Sequence, residues 1–359
     1  MGTVSSLATF AAAFLSRPVG AAVFGHFGDR LGRKKTLIAT LLIMGISTFA
    51  VGLVPAAASI GVLAPIILLT LRLCQGFAVG GGEWAGSALL SAEYAPADQR
   101  GKYGMFTQLG AGAGLAVSNL VFLLANVTIG EKSRCSWSGG WRVPFLFSGL
   151  LVIVALYVRL SIDETPPVFA AEKEKQRGGV VQAPLKELLR TQSTQVLLAA
   201  GCMVGIFTMS FLGGTYLLNY AATKIGHPRS LVLTVGVLAG GVALMAFTAI
   251  SAVLCDRYGR RRIILAGFLV ALPWAFLVMP MIDTGSPWLF ALAIGGMFAI
   301  FGTSYGPIAS FLPEIFATRY RYTGAGLAFN LAGIVGGAVP PLIAGLLVSA
   351  YGPWSVGGR

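Results

Sequence analysis

The chain has 359 residues, of which 56% are hydrophobic and only 11% are charged. Soluble domains carry about 25% charged residues, so this composition excludes an ordinary water-soluble domain. The formal net charge of +13 is compatible with a nucleic-acid partner or with a membrane, and the positions of the charges decide between these two classes.

Ten apolar blocks follow one another along the chain. Each is about 18 to 30 residues long, close to what a helix needs to cross a hydrocarbon core of about 30 Å. Backbone groups in lipid must be satisfied within the protein, and the blocks lack the alternation of barrel strands. The sequence therefore predicts an all-α polytopic membrane protein with spans at 4–24, 37–54, 64–90, 105–124, 144–160, 196–220, 231–254, 263–281, 288–312 and 324–350.

The basic residues fall mainly on one side of the predicted membrane. Alternate threading of the ten spans places 18 Lys and Arg on one side and five on the other, namely Lys132, Arg134, Arg142, Lys224 and Arg229. Loops rich in Lys and Arg stay in the cytoplasm. We therefore expect a multi-pass inner-membrane protein with cytoplasmic basic loops, both termini outside and no nucleic-acid partner.

A polar stretch divides the spans into two sets of five. Residues 161–194 are read as a cytoplasmic linker between an N-terminal bundle, 1–160, and a C-terminal bundle, 195–359. The segment 25–35, GHFGDRLGRKK, follows the first span, and a weaker copy, CDRYGRRR, stands at 255–262. Such repeats are typical of transporters with the substrate site between the repeats. The two halves have the same number of spans before and after each copy only if one helix is added before Met1 and one after Arg359. The sequence therefore predicts about ten helices of a twelve-helix design.

Several motifs resemble the major facilitator superfamily. The run 25–35 resembles the signature loop of the superfamily. Five further motifs resemble the metabolite:proton symporter branch of the superfamily: SRPVG at 16–20, RLCQGF at 72–77, GGEW at 81–84, GWRVPF at 140–145 and DETP at 163–166. The resemblance implies a major facilitator fold of two pseudo-symmetric bundles. It also implies carriage of a small solute, as in relatives for proline, betaine, shikimate, citrate or 2-oxoglutarate. Antiporters of the superfamily usually have a Gly-Pro signature in the helix at 105–124, and its absence favours symport.

Charged side chains inside spans are the main candidates for a transport pathway. Arg17 either reaches water at the helix end or faces a cavity and pairs with an anion. Arg72 and Glu83 are 11 residues apart, which on one continuous helix places them on one face with Gln75. Arg72 then suits a substrate carboxylate because its guanidinium binds two oxygens, and Glu83 is the candidate proton carrier. A purely structural Arg–Glu pair between helices is the alternative.

Uncharged polar residues inside spans complete the predicted pathway. In the fourth span, Gln108 and Asn119 repeat the 11-residue spacing that places two residues on one helix face. The residues of the second half either orient substrate or form hydrogen bonds between helices; they are Tyr216, Asn219, Tyr305 and Asn330.

The family resemblance implies that the signature loops hold the two bundles together on the cytoplasmic side. The residues of this predicted gate are Gly25, Asp29, Arg30, Gly32 and Arg33 in the first copy and Asp256, Arg257, Gly259 and Arg260 in the second. The alternative for the basic residues is that they only determine the membrane topology. Asp29 does not contribute to the topology, which favours a gating role for this residue.

The leading hypothesis is a proton-coupled symporter of a small polar or anionic metabolite that works by alternating access. The alternatives are a facilitator of a neutral solute and an inactive or regulatory truncated membrane protein. An enzyme is not expected, because the spans hold no histidine cluster, acidic metal-ligand pair or nucleophile motif. Without a phosphate-binding Gly-Lys-Ser/Thr loop, ATP is not expected to drive transport. We expect no metal, no cofactor, no disulfide, and a monomer in lipid.

Overall fold

The computed structural model describes residues 13–24, 33–55, 57–81, 83–96, 98–129, 142–161, 184–317, 321–340 and 343–344. In this part of the chain every regular element is helical. The helices are α1 (Ala13–Phe24), α2 (Arg33–Leu53), α3 (Ala57–Ile60), α4 (Leu63–Gly80), α5 (Glu83–Tyr94), α6 (Arg100–Ile129), α7 (Val143–Ser161), α8 (Pro184–Thr191), α9 (Ser193–Ile225), α10 (Arg229–Tyr258), α11 (Arg260–Asp283), α12 (Pro287–Tyr305), α13 (Ile308–Ile315) and α14 (Arg321–Ala332).

Eight stretches of the described chain are long and apolar enough to cross a membrane. They correspond to the second to ninth predicted blocks, with α4 and α5 counted together as Leu63–Ala92 and α12 and α13 as Pro287–Ile315. The first block is represented by α1, which has 12 described residues, and the last by α14 and its continuation. The prediction of an all-α polytopic fold is confirmed.

Two of the spans are interrupted. Helix α4 ends at Gly80 and α5 begins at Glu83, while α12 ends at Tyr305 and α13 begins at Ile308. The second break contains Pro307, which lacks the N–H that a continuous helix requires. Arg72 lies in α4 and Glu83 in α5, whereas the sequence prediction placed both on one continuous helix; Gly82, between the two helices, lies outside the described residues.

Three helices contain π-helical stretches, in which the turn is wider than in an α-helix. These stretches are Leu212–Leu217 and Ala221–Ile225 in α9, Gly236–Val242 in α10, and Gly333–Ala338, which continues α14. Such wide turns are rare and occur frequently at functional sites. Two of them, Gly236–Val242 and Gly333–Ala338, lie where the two bundles meet.

The helices form two bundles that contact each other along two seams. Helix α2 packs on α4 and α7 in the N-terminal bundle, and α12 packs on α10 and α11 in the C-terminal bundle. Between the bundles, α6 packs against α10, and α1 approaches the π-helical continuation of α14 at Gly333 and Gly337. Leu188 of α8, in the predicted linker, is fully buried in the core of the C-terminal bundle.

Small residues bring α6 and α10 into close contact along most of their length. Gly101 faces Ala252, Gly112 faces Met245, and Gly241 faces Ala116. A side chain at any of these glycines would meet atoms of the opposite helix. Close approach through small residues is typical of helix pairs in membranes, and here it joins the two bundles.

Candidate functional site

A layer of aromatic and amide side chains crosses the boundary between the bundles. It consists of Trp84 in α5, Gln108 in α6, Tyr305 in α12, and Phe329 and Asn330 in α14. Trp84 precedes the end of α5 by ten residues, and Gln108 follows the start of α6 by eight. At 1.5 Å per residue, both lie roughly 12–15 Å from the end of the bundle that carries Arg100. This end also carries Arg257 and Arg260, and it is called the basic end below.

Gln108 is the centre of this layer. Its side chain is fully buried. Its Oε1 accepts a 2.7 Å hydrogen bond from Trp84 Nε1, and its Nε2 donates a 2.8 Å bond to the carbonyl oxygen of Tyr305. The amide therefore bridges α5 of the N-terminal bundle and α12 of the C-terminal bundle, and both ends of it are occupied.

Two further contacts cross the boundary in the same layer. The ring of Trp84 stacks on Phe329 with centroids 4.2 Å apart and an interplanar angle of 12°. Asn330 Nδ2 donates to the carbonyl of Gly80 at 3.3 Å, at the end of α4, and to Gly326 within its own helix at 2.7 Å. Asn330 thus joins α14 to the break between α4 and α5.

Arg17 lies where α1, α4 and α14 meet. Its guanidinium is 3.9 Å from the centre of the Phe14 ring, and its nearest helix across the boundary is α14 at Gly333. Its Nε is buried and has no hydrogen-bond partner. The side chain as a whole is partly accessible. Arg17 is therefore a cation at the boundary between the bundles, with a buried Nε and a side chain that is accessible only in part.

Arg72 has a different environment. Its Nη1 donates to Gln75 Oε1 at 3.2 Å, and Gln75 Nε2 donates to Thr48 Oγ1 of α2 at 2.8 Å. This chain of hydrogen bonds joins α4 to α2, so it lies within the N-terminal bundle. The structure therefore does not bring Arg72 and Gln75 together with Arg17.

Glu83 is the first residue of α5 and forms an ion pair with Arg159 near the end of α7. The distance from Arg159 Nη2 to Glu83 Oε1 is 3.0 Å, and the two side chains are 22% and 27% exposed. The pair joins two helices of the N-terminal bundle. The sequence analysis placed Arg159 only among the topology-setting residues and did not identify it as a partner.

The other predicted pathway residues are spread over the structure. Asn119 Nδ2 donates to Leu115 within α6, and its side chain faces Gly236 of α10. Tyr216 is buried and stacks with Tyr220 in α9 at 6.2 Å, whereas Asn219 is exposed. These residues do not form one cluster with the central layer.

Charged groups connect the bundles at the basic end. The carboxylate of Asp256 accepts the backbone N–H groups of Gly101 and Lys102, both at 2.9 Å. Arg260 lies 3.8 Å from Asp256 and 3.2 Å from Glu314, and Arg100 lies 4.0 Å from Glu314. A carboxylate at the first N–H groups of a helix is favourable, so Asp256 ties α10 to the start of α6.

Of the remaining predicted gate residues, those of the second copy lie within the described part of the chain and those of the first copy lie mostly outside it. Arg257 is exposed, and Gly259 has a φ of 89°, which permits the turn between α10 and α11. Gly25, Asp29, Arg30 and Gly32 lie outside the described residues, and Arg33 begins α2 with a side chain that is not described.

Five residues of the site were not predicted from the sequence: Trp84, Arg100, Arg159, Glu314 and Phe329. A usable signal existed for two of them. The segment PEIF at 313–316 is a weak copy of AEYA at 92–95, which matches Glu314 to Glu93, and Arg100 follows Glu93 by the same seven residues that separate Arg321 from Glu314. Applied to this spacing, the repeat predicts charged groups at the starts of α6 and α14.

The whole chain matches known transporters. A sequence profile of the Major Facilitator Superfamily matches residues 2–341. The chain belongs to this superfamily. It is 41% identical over 361 residues to the inner membrane metabolite transport protein YhjE of Escherichia coli K12, and the match covers 99% of this chain and 80% of that protein. It is 39% identical over 367 residues to the shikimate transporter of the same organism, again with 99% and 80% covered.

The fold agrees with this assignment. The structure of the proton:xylose symporter XylE bound to 6-bromo-6-deoxy-D-glucose superposes with a TM-score of 0.75 at 20% identity, which covers 98% of this chain and 82% of that one. This major facilitator protein is a membrane transporter of small-molecule metabolites and not an enzyme. The predictions of the family, of the two-bundle fold and of a non-enzyme are confirmed.

Proposed function

We propose that this major facilitator protein is a proton-coupled symporter of a small polar or anionic metabolite and that it works by alternating access. The observation that carries the proposal is the position of Arg17, an enclosed cation where the two bundles meet. Helices α1, α4, α9 and α14 contain no Asp or Glu. Within the described residues, Arg17 has only the ring of Phe14 as a charge-stabilising contact.

A cation inside a membrane protein that is only partly accessible and has no counter-charge is unfavourable. A solute with a carboxylate would supply the missing charge, and a guanidinium can bind both oxygens of such a group. Arg72 is a weaker candidate for this role than the sequence implied, because it already has a hydrogen-bonded partner in Gln75.

Coupling to protons is supported by Glu83. Among the described carboxylates it lies furthest from the end of a membrane span, nine residues before the end of Leu63–Ala92. Intramembrane carboxylates mark proton relays in transporters. Binding of a proton to Glu83 would release Arg159 and so change the contacts of α5 with α7.

The second candidate function is facilitated passage of a neutral solute. The observation that favours it is the Glu83–Arg159 pair itself, since a carboxylate that only joins two helices would have no reason to exchange protons. In that case uptake would equilibrate the solute and would not accumulate it.

Uptake by the purified chain in proteoliposomes tests these alternatives. Shikimate, proline and glycine betaine serve as radiolabelled probes, with and without an inward proton gradient. We expect accumulation of at least one probe above equilibrium, and its loss when a protonophore is added. Equilibration that is indifferent to the protonophore would establish the facilitator, and no uptake of any probe would contradict both candidates.

We also propose that the basic end faces the cytoplasm, that the protein resides in the inner membrane, and that it acts as a monomer. Gln176, in the predicted linker, provides the test of sidedness. In a background without the native cysteines, Gln176→Cys should resist an impermeant thiol reagent in intact cells and react in inverted vesicles. Reaction in intact cells would reverse the topology.

A further inference from the structure

We infer that the hydrogen bonds from Trp84 to Gln108 and from Gln108 to Tyr305 are an interlock that holds the basic end closed, and that Glu83 acts on this interlock through the first turn of α5. The inference rests on the alternating access proposed above. It assigns Gln108 a positioning role in the change of conformation and not a contact with the solute.

The geometry of Gln108 carries the first half of this inference. Its side chain is fully buried, and its oxygen and its nitrogen each form a hydrogen bond, so the amide is not accessible to a solute in this conformation. Its two partners lie on helices of different bundles. Because Gln108 itself belongs to the N-terminal bundle, separation of the bundles at the basic end breaks its bond to Tyr305, and loss of a hydrogen-bond partner is unfavourable.

The surroundings of Tyr305 explain why an amide is suited to this position. The span is interrupted directly after Tyr305, at Gly306 and Pro307. The carbonyl of Tyr305 accepts from Gln108, a residue 197 positions away in the chain. A leucine of similar size at position 108 would keep the packing but leave this carbonyl and Trp84 Nε1 without their partner.

The second half of the inference follows from the start of α5. Glu83 and Trp84 are its first two residues, directly after the break that ends α4 at Gly80. Glu83 is held by Arg159 of α7, and Trp84 is held by Gln108 and Phe329. Because the two residues share one helical turn next to a break, loss of the ion pair allows this turn to move and Trp84 to leave Gln108.

A thiol at position 309 reports on opening of the basic end. Ala309 in α13 is fully buried and faces Gly104 of α6 across the boundary. In the full chain with the four native cysteines replaced by serine, we measure the rate at which N-ethylmaleimide labels Ala309→Cys in inverted membrane vesicles. Loss of the hydrogen bond that joins the bundles, from Gln108 to Tyr305, should raise this rate roughly tenfold in Gln108→Leu.

Gln75→Leu is the matched control. Gln75 also accepts one hydrogen bond and donates another, but both of its partners lie in the N-terminal bundle. This variant should therefore leave the labelling rate within about twofold of the parent even if it lowers the melting temperature. An equal rise in both variants would show that loosened packing, and not the interlock, controls exposure of position 309.

Glu83→Gln tests the link to the ion pair. It should raise the labelling rate in the parent and in Gln75→Leu, but add little in Gln108→Leu, where the interlock is already lost. If the double variant raised the labelling rate by the product of the two single effects, Glu83→Gln and Gln108→Leu would act independently, and the ion pair would not be linked to the interlock. Since labelling is measured without substrate, failure of the uptake experiment leaves this test intact, and the reverse also holds.

If Ala309→Cys prevents folding, the native Cys255 serves as the reporter. It is fully buried, faces Gly101 at the basic end, and is left as the only thiol by replacing the other three cysteines with serine. Trp84→Phe is a second variant of the interlock, because it keeps a ring that can stack on Phe329 and removes the donor to Gln108. Unchanged labelling of Cys255 in both Gln108→Leu and Trp84→Phe would overturn the inference.

Discussion

Asp256 Oδ1 lies 2.9 Å from the backbone nitrogen of Gly101, although 155 residues separate the two in the chain. The second carboxylate oxygen accepts from Lys102 at the same distance. The first N–H groups of a helix have no carbonyl partner within that helix. One carboxylate of the C-terminal bundle thus accepts hydrogen bonds from two of these N–H groups at the start of α6. This contact depends on the relative position of the bundles and is lost when they separate at the basic end.

The first prediction concerns this contact. Asp256→Ala should favour opening of the basic end, because a capping carboxylate contributes about 0.5–2 kcal/mol at a helix start. The labelling rate of Ala309→Cys in inverted vesicles should rise several-fold. Asp98→Ala provides the control, since Asp98 is an exposed carboxylate at the same end. A similar rise in both variants would mean that net charge, and not the cap, decides the result.

The second prediction separates the two arginines. Arg17→Gln should raise the KM for an anionic substrate at least tenfold with little loss of stability, because within the described residues Arg17 has no hydrogen bond to lose. Arg72→Gln should instead lower the melting temperature, since the Gln75 amide loses its donor. Uptake kinetics and thermal unfolding of the two variants in detergent provide the comparison. Equal KM values for Arg17→Gln and the parent would exclude Arg17 as the substrate cation.

Much of the fold was predictable from the sequence because lipid imposes simple demands. A span needs about 20 apolar residues in a helix, and the blocks read from composition agree with the described helices to within a few residues at most ends. The breaks at Gly80–Glu83 and Tyr305–Ile308 were missed because the spans were assigned by apolar length alone, although Gly80–Gly82 and Gly306-Pro307 are turn signals. The π-helical stretches were missed because the width of a helical turn depends on packing.

The candidate site was less predictable, because its contacts join distant parts of the chain. Helical periodicity places residues on a face but does not say which helix that face meets. Gln108 was identified as polar and intramembrane, yet its partners Trp84 and Tyr305 follow only from the way three helices pack. Glu83 was assigned to a face shared with Arg72, whereas in the structure it forms an ion pair with Arg159.

The third prediction concerns the seam between α6 and α10. Gly241→Val should strongly lower stability and uptake, because its first added carbon would lie within about 3 Å of the backbone of Ala116. Gly114→Val is the control: this glycine is also in a membrane helix, but a side chain there would meet no atom within 4 Å. Expression, melting temperature and uptake should fall in Gly241→Val and stay near the parent in Gly114→Val. Equal losses would point to a general effect of a β-branched residue in these helices.

The last prediction distinguishes a proton-carrying Glu83 from a purely structural one. If Glu83 binds the coupled proton, Glu83→Gln should abolish accumulation driven by a proton gradient but retain exchange of labelled for unlabelled solute across the membrane. Arg159→Gln should keep accumulation, because the carboxylate is still present. Both partners are about three-quarters buried, and removing one partner of a buried pair is destabilising, so the melting temperature of each variant is measured with its uptake to separate loss of coupling from unfolding.

A purely structural pair gives a different pattern in the same measurements. Glu83→Gln and Arg159→Gln would then lower the melting temperature by similar amounts, the double variant would be no worse than either, and accumulation would persist in all three. The comparison is decisive because the two variants remove the same ion pair but only one removes the protonatable group. Retained accumulation in Glu83→Gln would therefore place the proton site on another residue, whatever the stability of the variant.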